Sequence, residues 1–189
     1  MDNALIEMFT VVVDALEAEG APYAVTGSIA SSVHGEPQMT QVVDLVILAP
    51  PARAAAVAAR IRPRFYAPDD MLVQAAADHG FANVVDGLTG LKVDLSFVPA
   101  TGFLAGVLRR RVRRPIGTGS PEFWLVTPED VILMKLLWRK DSRSHKRWEN
   151  ALSVARVQGA RLDWRYLFEQ AAELGLADDL AALRDEAGI

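Results

Sequence analysis

Two short apolar runs constrain this chain most. Residues 42–48 read VVDLVIL and residues 91–98 read LKVDLSFV. The first is a near-continuous apolar run, as a buried strand should be, and the second is an apolar strand in its own right. Each run carries one acid, Asp44 in the first and Asp94 in the second. A carboxylate inside such a strand is costly unless it is paired, hydrogen-bonded or bound to a metal. Two such acids on separate strands have two readings. Either they converge on a shared cation, for which Mg²⁺ with water and phosphate oxygens is the fitting ion, or each sits near a strand end, exposed or paired with arginine.

The segment before Asp44 bears on that choice. Residues 25–48 read VTGSIASSVHGEPQMTQVVDLVIL. Tyr23–Thr26 is a short strand, Gly27-Ser28 opens a small-residue helix, and Gly35 closes it. A glycine turn from strand to helix presents backbone N–H groups to a phosphate, and the helix N-terminus adds positive potential. The Ser28 hydroxyl adds a donor. A Gly-Ser pair alone is a very weak signal that reads first as an ordinary turn; its place after a strand and before an acid-bearing strand gives it weight.

Around these segments the pattern predicts a mixed α/β part over 1–127 and a helical part over 128–189. Leu5, Met8, Val12 and Leu16 recur at helical spacing over residues 3–18, and Gly20 ends that helix. Pro51 suits the first turn of an alanine-rich helix to Ile61. A helix is expected over 68–78. Gly87-Leu88-Thr89-Gly90 separates two apolar arms as a hairpin, followed by a helix at 103–110 and a strand near 123–126. Thr127-Pro128-Glu129-Asp130 marks a helix start. Helices are then expected at 128–139, 144–157, 163–174 and 177–187, with Asp163 as an N-cap.

With 189 residues, 51% of them hydrophobic, the chain can bury one sizeable core with a helical annex. The net charge of −4 gives no general reason for nucleic-acid binding. Without cysteine, neither disulfides nor thiolate metal sites are available. The acidic start MDNALIEMF lacks the basic character of a signal peptide, and no apolar run reaches a membrane span's length. A cytoplasmic protein without a membrane partner is the expectation.

Other groups offer chemistry more weakly. RRRVRR at 109–114 either draws an anionic substrate or is a solvated helix end. Lys135, set among Leu133, Met134 and Leu136, must snorkel or meet an anion. Arg143, His145, Lys146 and Arg147 read as a polar helix start. His34 and His79 lack ligand spacing and read as structural. Trp124, Trp138, Trp148 and Trp164 read as packing residues rather than a base-stacking platform.

The run GSIASSVHGEPQMTQVVDLVI, together with TGLKVDLSF and TPEDVILMKLLWRKDSRSHKRWENALSVARVQGARLDWRYL, resembles the DNA polymerase β-type minimal nucleotidyltransferases, and among them the AbiEii-type toxin and its relatives. The resemblance covers residues 22–183. It implies an α+β fold, a mixed sheet with flanking helices followed by a C-terminal helical region. It also implies transfer of a nucleoside monophosphate from a nucleoside triphosphate to a hydroxyl on RNA (tRNA included), protein or a small molecule. By position, Gly27, Ser28 and Lys135 would bind substrate. Asp44 and Asp94 would be the catalytic and metal-binding acids, holding Mg²⁺, with Asp94 near the attacking hydroxyl.

Three positions depart from that pattern. Val42 stands where the first strand carries another acid, Gln38 where an arginine is usual, and Asn150 where an acid follows Lys146. Each change removes charge. Glu36 and Asp86 are nearby acids, but neither matches the missing position. Three readings follow: an enzyme, a catalytically weak or inactive relative that binds nucleotide or a partner, and an interaction module led by the helical part, as in a toxin–antitoxin or phage-defence pair. Exposed tryptophans on the helical part would favour the last.

Overall fold

The computed structural model describes residues 3–140 and 142–189. Two compact units emerge. One holds the chain up to Thr26 and then Met39–Leu125; the other holds Gly27–Gln38 and Val126–Ile189. The helical region therefore recruits an early segment, where a linear division at 127/128 was expected.

The first unit is built on a seven-stranded mixed sheet. Its strands are β1 (Tyr23–Val25), β2 (Val42–Ile47), β3 (Phe65–Tyr66), β4 (Phe81–Asp86), β5 (Lys92–Phe97), β6 (Val112–Pro115) and β7 (Glu122–Leu125). Their spatial order is β3-β4-β5-β2-β1-β7-β6. β2 and β5, the two acid-bearing runs, are parallel neighbours. β1 is antiparallel to β2 and parallel to β7.

Among the described residues, four helices belong to this unit: α1 (Asn3–Ala18), α3 (Pro51–Ile61), α4 (Asp69–Asp78) and α5 (Gly102–Arg110). The label α2 belongs to Gly27–His34 in the other unit. α1 buries Leu5, Met8, Phe9, Val12, Val13 and Leu16, and Phe9 meets Phe123 of β7 with ring centroids 4.7 Å apart. Burying aromatic and branched side chains of this kind is worth about 1.5–3 kcal/mol each. Pro51 occupies the first turn of α3, where its missing N–H costs nothing.

The β4–β5 hairpin is tied at its turn. Asp86 is 1% exposed. It accepts from Arg64 Nε (2.8 Å) and Nη2 (3.1 Å), from the Thr89 hydroxyl (2.6 Å) and from the Leu88 N–H (3.4 Å). The Arg64 hydrogen bond foremost holds its pKa down, to about 2, against the opposing effect of burial. Asp86 is thus a structural anchor. Gly90 completes the turn with a φ of 72°, open to glycine at no steric cost.

The arginine-rich segment contains a strand that composition hides. β6 is an edge strand antiparallel to β7. Arg111 and Arg113 stack on Trp124, 4.6 and 5.4 Å from its ring centroid. Arginines and Pro115 on an edge strand also discourage pairing with another chain.

The second unit is helical among its described residues: α2, α6 (Pro128–Arg139), α7 (His145–Gln158), a 3₁₀ turn at Gly159–Arg161, α8 (Trp164–Leu174) and α9 (Ala177–Ala187). Thr127 caps α6 by accepting from the Asp130 N–H, Ser144 caps α7 and Asp163 caps α8. α2 packs on α6 and α7. The approach is close: a Cβ at Gly35 would lie 2.7 Å from Ser153 Oγ and 3.0 Å from the Val154 nitrogen.

Candidate nucleotide and cation site

The register of the two acid-bearing strands is the main result. In the β2–β5 pair, Asp44 lies directly opposite Asp94, and Val42 directly opposite Lys92. Paired residues project to the same face of a sheet, and residues two apart share that face. Asp44, Asp94, Val42 and Lys92 therefore share one face of the first unit. Both acids are half-buried.

The electrostatics fit that placement. The Asp94 pKa is raised, first by burial and then by the Asp44 charge, with Lys92 opposing. Two carboxylates held in register in a partly dehydrated place favour an added cation or a shared proton. The register sets the two acids side by side, as convergence on one place requires.

Two carboxylates suit a single Mg²⁺ whose remaining sites are filled by water and phosphate oxygens. They are a sparse set for a close pair of ions. Among the described residues, no group of three or more histidines, cysteines or carboxylates is gathered to hold a metal. Val42 contributes no ligand, and its register partner is an ammonium group rather than an acid.

The other candidates lie in the helical unit. Gly27 opens α2 with a φ of 62°, in the left-handed region where a side chain would be strained. The first N–H groups of an α-helix have no partners within the helix, and Ser28 is half-exposed beside them. Further along α2, Ser31 and Ser32 hydroxyls turn inward to the carbonyls of Gly27 (2.8 Å) and Ser28 (2.9 Å). Lys135 is 7% exposed on α6, one of the helices against which α2 packs. Burial of an ammonium group demands an anionic or carbonyl partner, and Lys135 is engaged rather than free.

His34 is structural. Its Nε2 donates to the Val126 carbonyl (2.8 Å), while its own carbonyl accepts from Gln158 (2.5 Å). The four tryptophans are half-buried. Trp148 and Trp164 carry stacked arginines, Arg139 and Arg184, and Trp148 donates to Glu186. None of the three on the helical unit stands out as the exposed platform that would favour an interaction module.

One relation was invisible in the linear sequence. Two of the three departures from the family pattern touch: Asn150 Nδ2 donates to Gln38 Oε1 at 2.7 Å. An arginine and an acid at these positions would form an ion pair; here two neutral amides meet instead, so net charge is conserved between them. Nothing in residue spacing announces the contact between residues 112 positions apart.

No protein-family model matches the chain, and no curated relative matches it in sequence. Solved structures do resemble it. The solution structure of the antibiotic-resistance factor ANT(2'')-Ia aligns over 98% of this chain and 97% of its own, with a TM-score of 0.59 and 16% identity. ANT(2'')-Ia in a crystal complex with adenylyl-2''-tobramycin aligns over 97% and 98%, with a TM-score of 0.58 and 14% identity. An antigenic nucleotidyltransferase-like protein from Paracoccidioides brasiliensis aligns over 98% and 94%, with a TM-score of 0.53 and 15% identity. The chain has an α+β nucleotidyltransferase-like fold. Among the described residues, no helix is long and apolar enough to cross a membrane.

Proposed function

We propose that this protein binds a nucleoside triphosphate with one Mg²⁺ ion and transfers the nucleoside monophosphate, slowly, to a hydroxyl of a small molecule. The observation that carries the reading is the parallel register placing Asp44 beside Asp94 on one face. Asp44 and Asp94 hold the ion, which when bound offsets negative charge on the phosphates. The sequence resemblance gives Gly27, Ser28 and Lys135 to substrate binding, the Gly27-Ser28 turn by way of phosphate donors. Asp94 accepts the proton of the attacking hydroxyl, a role its raised pKa suits. The acceptor oxygen bonds to the α-phosphorus, the bond from that phosphorus to the β-phosphate bridge breaks, and pyrophosphate leaves with the electron pair.

The small-molecule acceptor is favoured over tRNA or protein by the likeness to ANT(2'')-Ia, seen with adenylyl-2''-tobramycin. The AbiEii-type lineage and a toxin–antitoxin role rest on sequence resemblance alone.

Val42 favours a second reading, a nucleotide- or partner-binding relative that has lost transfer. Phosphoryl transfer depends almost wholly on positioning and charge stabilisation, so one missing carboxylate weakens it severely. The test compares the native chain with Val42→Asp, using labelled triphosphates and tobramycin, RNA and protein acceptors. Transfer gained in Val42→Asp, with nucleotide binding equal in both, supports the degenerate site. Robust native transfer abolished by Asp44→Ala shows an intact enzyme. Loss of Mg²⁺-dependent nucleotide binding in both proteins overturns the reading.

A further inference from the structure

β6 closes the sheet at the end away from β3, and no strand lies beyond it among the described residues. It runs three strands from β2, about 14 Å across the sheet. An edge strand presents alternate N–H and C=O groups that no neighbouring strand takes up. Along this edge the side chains are cationic. Arg113 lies opposite Trp124 and shares a face with Arg111, while Arg114 lies opposite Phe123 and projects to the other face. Arg113 and Arg114 are both exposed. The guanidinium groups differ in what already engages them. Arg111 Nη1 donates to the Leu108 carbonyl, and Arg114 Nη1 donates to the Arg113 carbonyl (2.9 Å). Arg113 stacks on Trp124 and meets Glu17 only at 3.6 Å, beyond hydrogen-bond range, so its fork is oriented by the ring and still open. Two acids stand beside the edge, Glu17 against Arg113 and Glu122 opposite Pro115, and three arginines leave it cationic.

We propose that the β6 edge receives an extended acidic segment of a partner protein as an added strand, its carboxylates seated on Arg111, Arg113 and Arg114. The open backbone edge offers a hydrogen-bond ladder that an extended polypeptide completes along its length. The arginines follow the two-residue period of a strand. Acids two residues apart on an added strand therefore repeat at about 7 Å, as Arg111 and Arg113 do, and guanidinium forks take carboxylates in bidentate pairs. The chain as a whole carries a net charge of −4, so the positive charge here is local. A short acidic segment stays within it, whereas a long polyanion runs on to surface that repels it. A second copy of β6 is disfavoured by its own arginines, which would face like charge across the new ladder. Arginines that guard the edge against ordinary strands thus make it selective for an acidic one. Pro115, with no N–H, ends the ladder.

The experiment is a titration of the isotope-labelled full chain, followed by amide NMR, with a capped octapeptide of alternating glutamate and threonine. Three further probes accompany it: the matching lysine–threonine peptide, the acidic peptide N-methylated at every residue, and octauridylate. N-methylation keeps the charge and removes the ladder donors. The acidic peptide should shift the Val112, Arg113 and Arg114 amides and slow their hydrogen exchange. The lysine and N-methylated peptides should bind about tenfold more weakly or less, the effect of losing one charge-assisted hydrogen bond. Arg113→Glu should weaken the acidic peptide about tenfold and admit the lysine peptide instead. Arg114→Glu, on the other face of the strand, repeats that reading should Arg113→Glu disturb the packing of Trp124. Equal binding of the N-methylated peptide overturns strand addition. Tighter binding of octauridylate gives the edge to nucleic acid and overturns the proposal, as does an absence of shifts along β6.

Discussion

Asp86 lies at the turn of the β4–β5 hairpin and Asp94 midway along its second arm, and the two acids meet opposite fates. Asp86 is almost fully buried, yet four donors surround its carboxylate and its pKa falls to about 2. Asp94 is less buried, yet its pKa rises, because burial and the Asp44 charge both disfavour ionisation. The fold has supplied a cation to the first acid and a second anion to the other. An acid that the chain satisfies internally holds structure together. An acid placed opposite another acid leaves work for something outside the chain.

The sharpest way to break this comparison is to remove the satisfied acid. Asp86→Ala leaves the Arg64 guanidinium, whose side chain is only 17% exposed, without its main partner. Removing one member of a buried pair costs about 3–5 kcal/mol, and a loss near the lower end is expected because Arg64 also reaches Glu7. Urea unfolding measures it. A change below about 1 kcal/mol would show that the hairpin tie is incidental.

The pH dependence follows with a smaller effect. The folded pKa of Asp86 lies below its unfolded value of about 3.9, so its contribution is present above pH 4 and is lost as pH falls toward 2. The size is about 2 kcal/mol. Native stability should drop across that window more steeply than that of Asp86→Asn. Parallel acid titrations of the two proteins would show no such difference if Arg64 did not hold the carboxylate.

Asp94 has the opposite sign. Its ionised form is disfavoured in the fold, so its contribution to stability improves as pH falls through its raised pKa. Asp94→Asn should therefore raise the melting temperature slightly at neutral pH, against the large fall in Asp86→Ala. It should also abolish any Mg²⁺-induced rise in melting temperature, since a ligand that binds only the folded state stabilises it. A destabilised Asp94→Asn protein would mean that the carboxylate is already satisfied from within.

Much of this arrangement was readable from the chain, for physical reasons. Asp44 interrupts a near-continuous apolar run and Asp94 sits in an alternating one, and both patterns mark strands of the sheet. Thr127 and Asp163 precede helices and cap them as local chemistry dictates. Other features depend on distant partners. β3 has two residues, too few for periodicity. β6 lies in a run of arginines whose strand pairing and stacking are set by Trp124, ten or more positions away. The small helix α2 says nothing locally of α6 and α7, against which it packs. Gly35 hinted at close approach, but only the fold shows Ser153 as the neighbour.

The smallest expected effect concerns Lys92. Lys92 is exposed and lies opposite Val42, one row from the Asp44–Asp94 pair. Its charge is the one influence that lowers the Asp94 pKa against burial and Asp44. Lys92→Ala should therefore raise that pKa further, while Lys92→Arg should leave it nearly unchanged. Carbon-detected NMR of the side-chain carboxyls reads this directly. An exposed ammonium group is screened by salt, so the difference should shrink as ionic strength rises. In Val42→Asp the same ammonium gains a carboxylate directly across the strands, and the pair would compete with any cation drawn to the new acid. Lys92→Ala combined with Val42→Asp should thus bind Mg²⁺ more tightly than Val42→Asp alone. Equal Mg²⁺ affinity in the two proteins would show that the ammonium lies outside the field of the two acids.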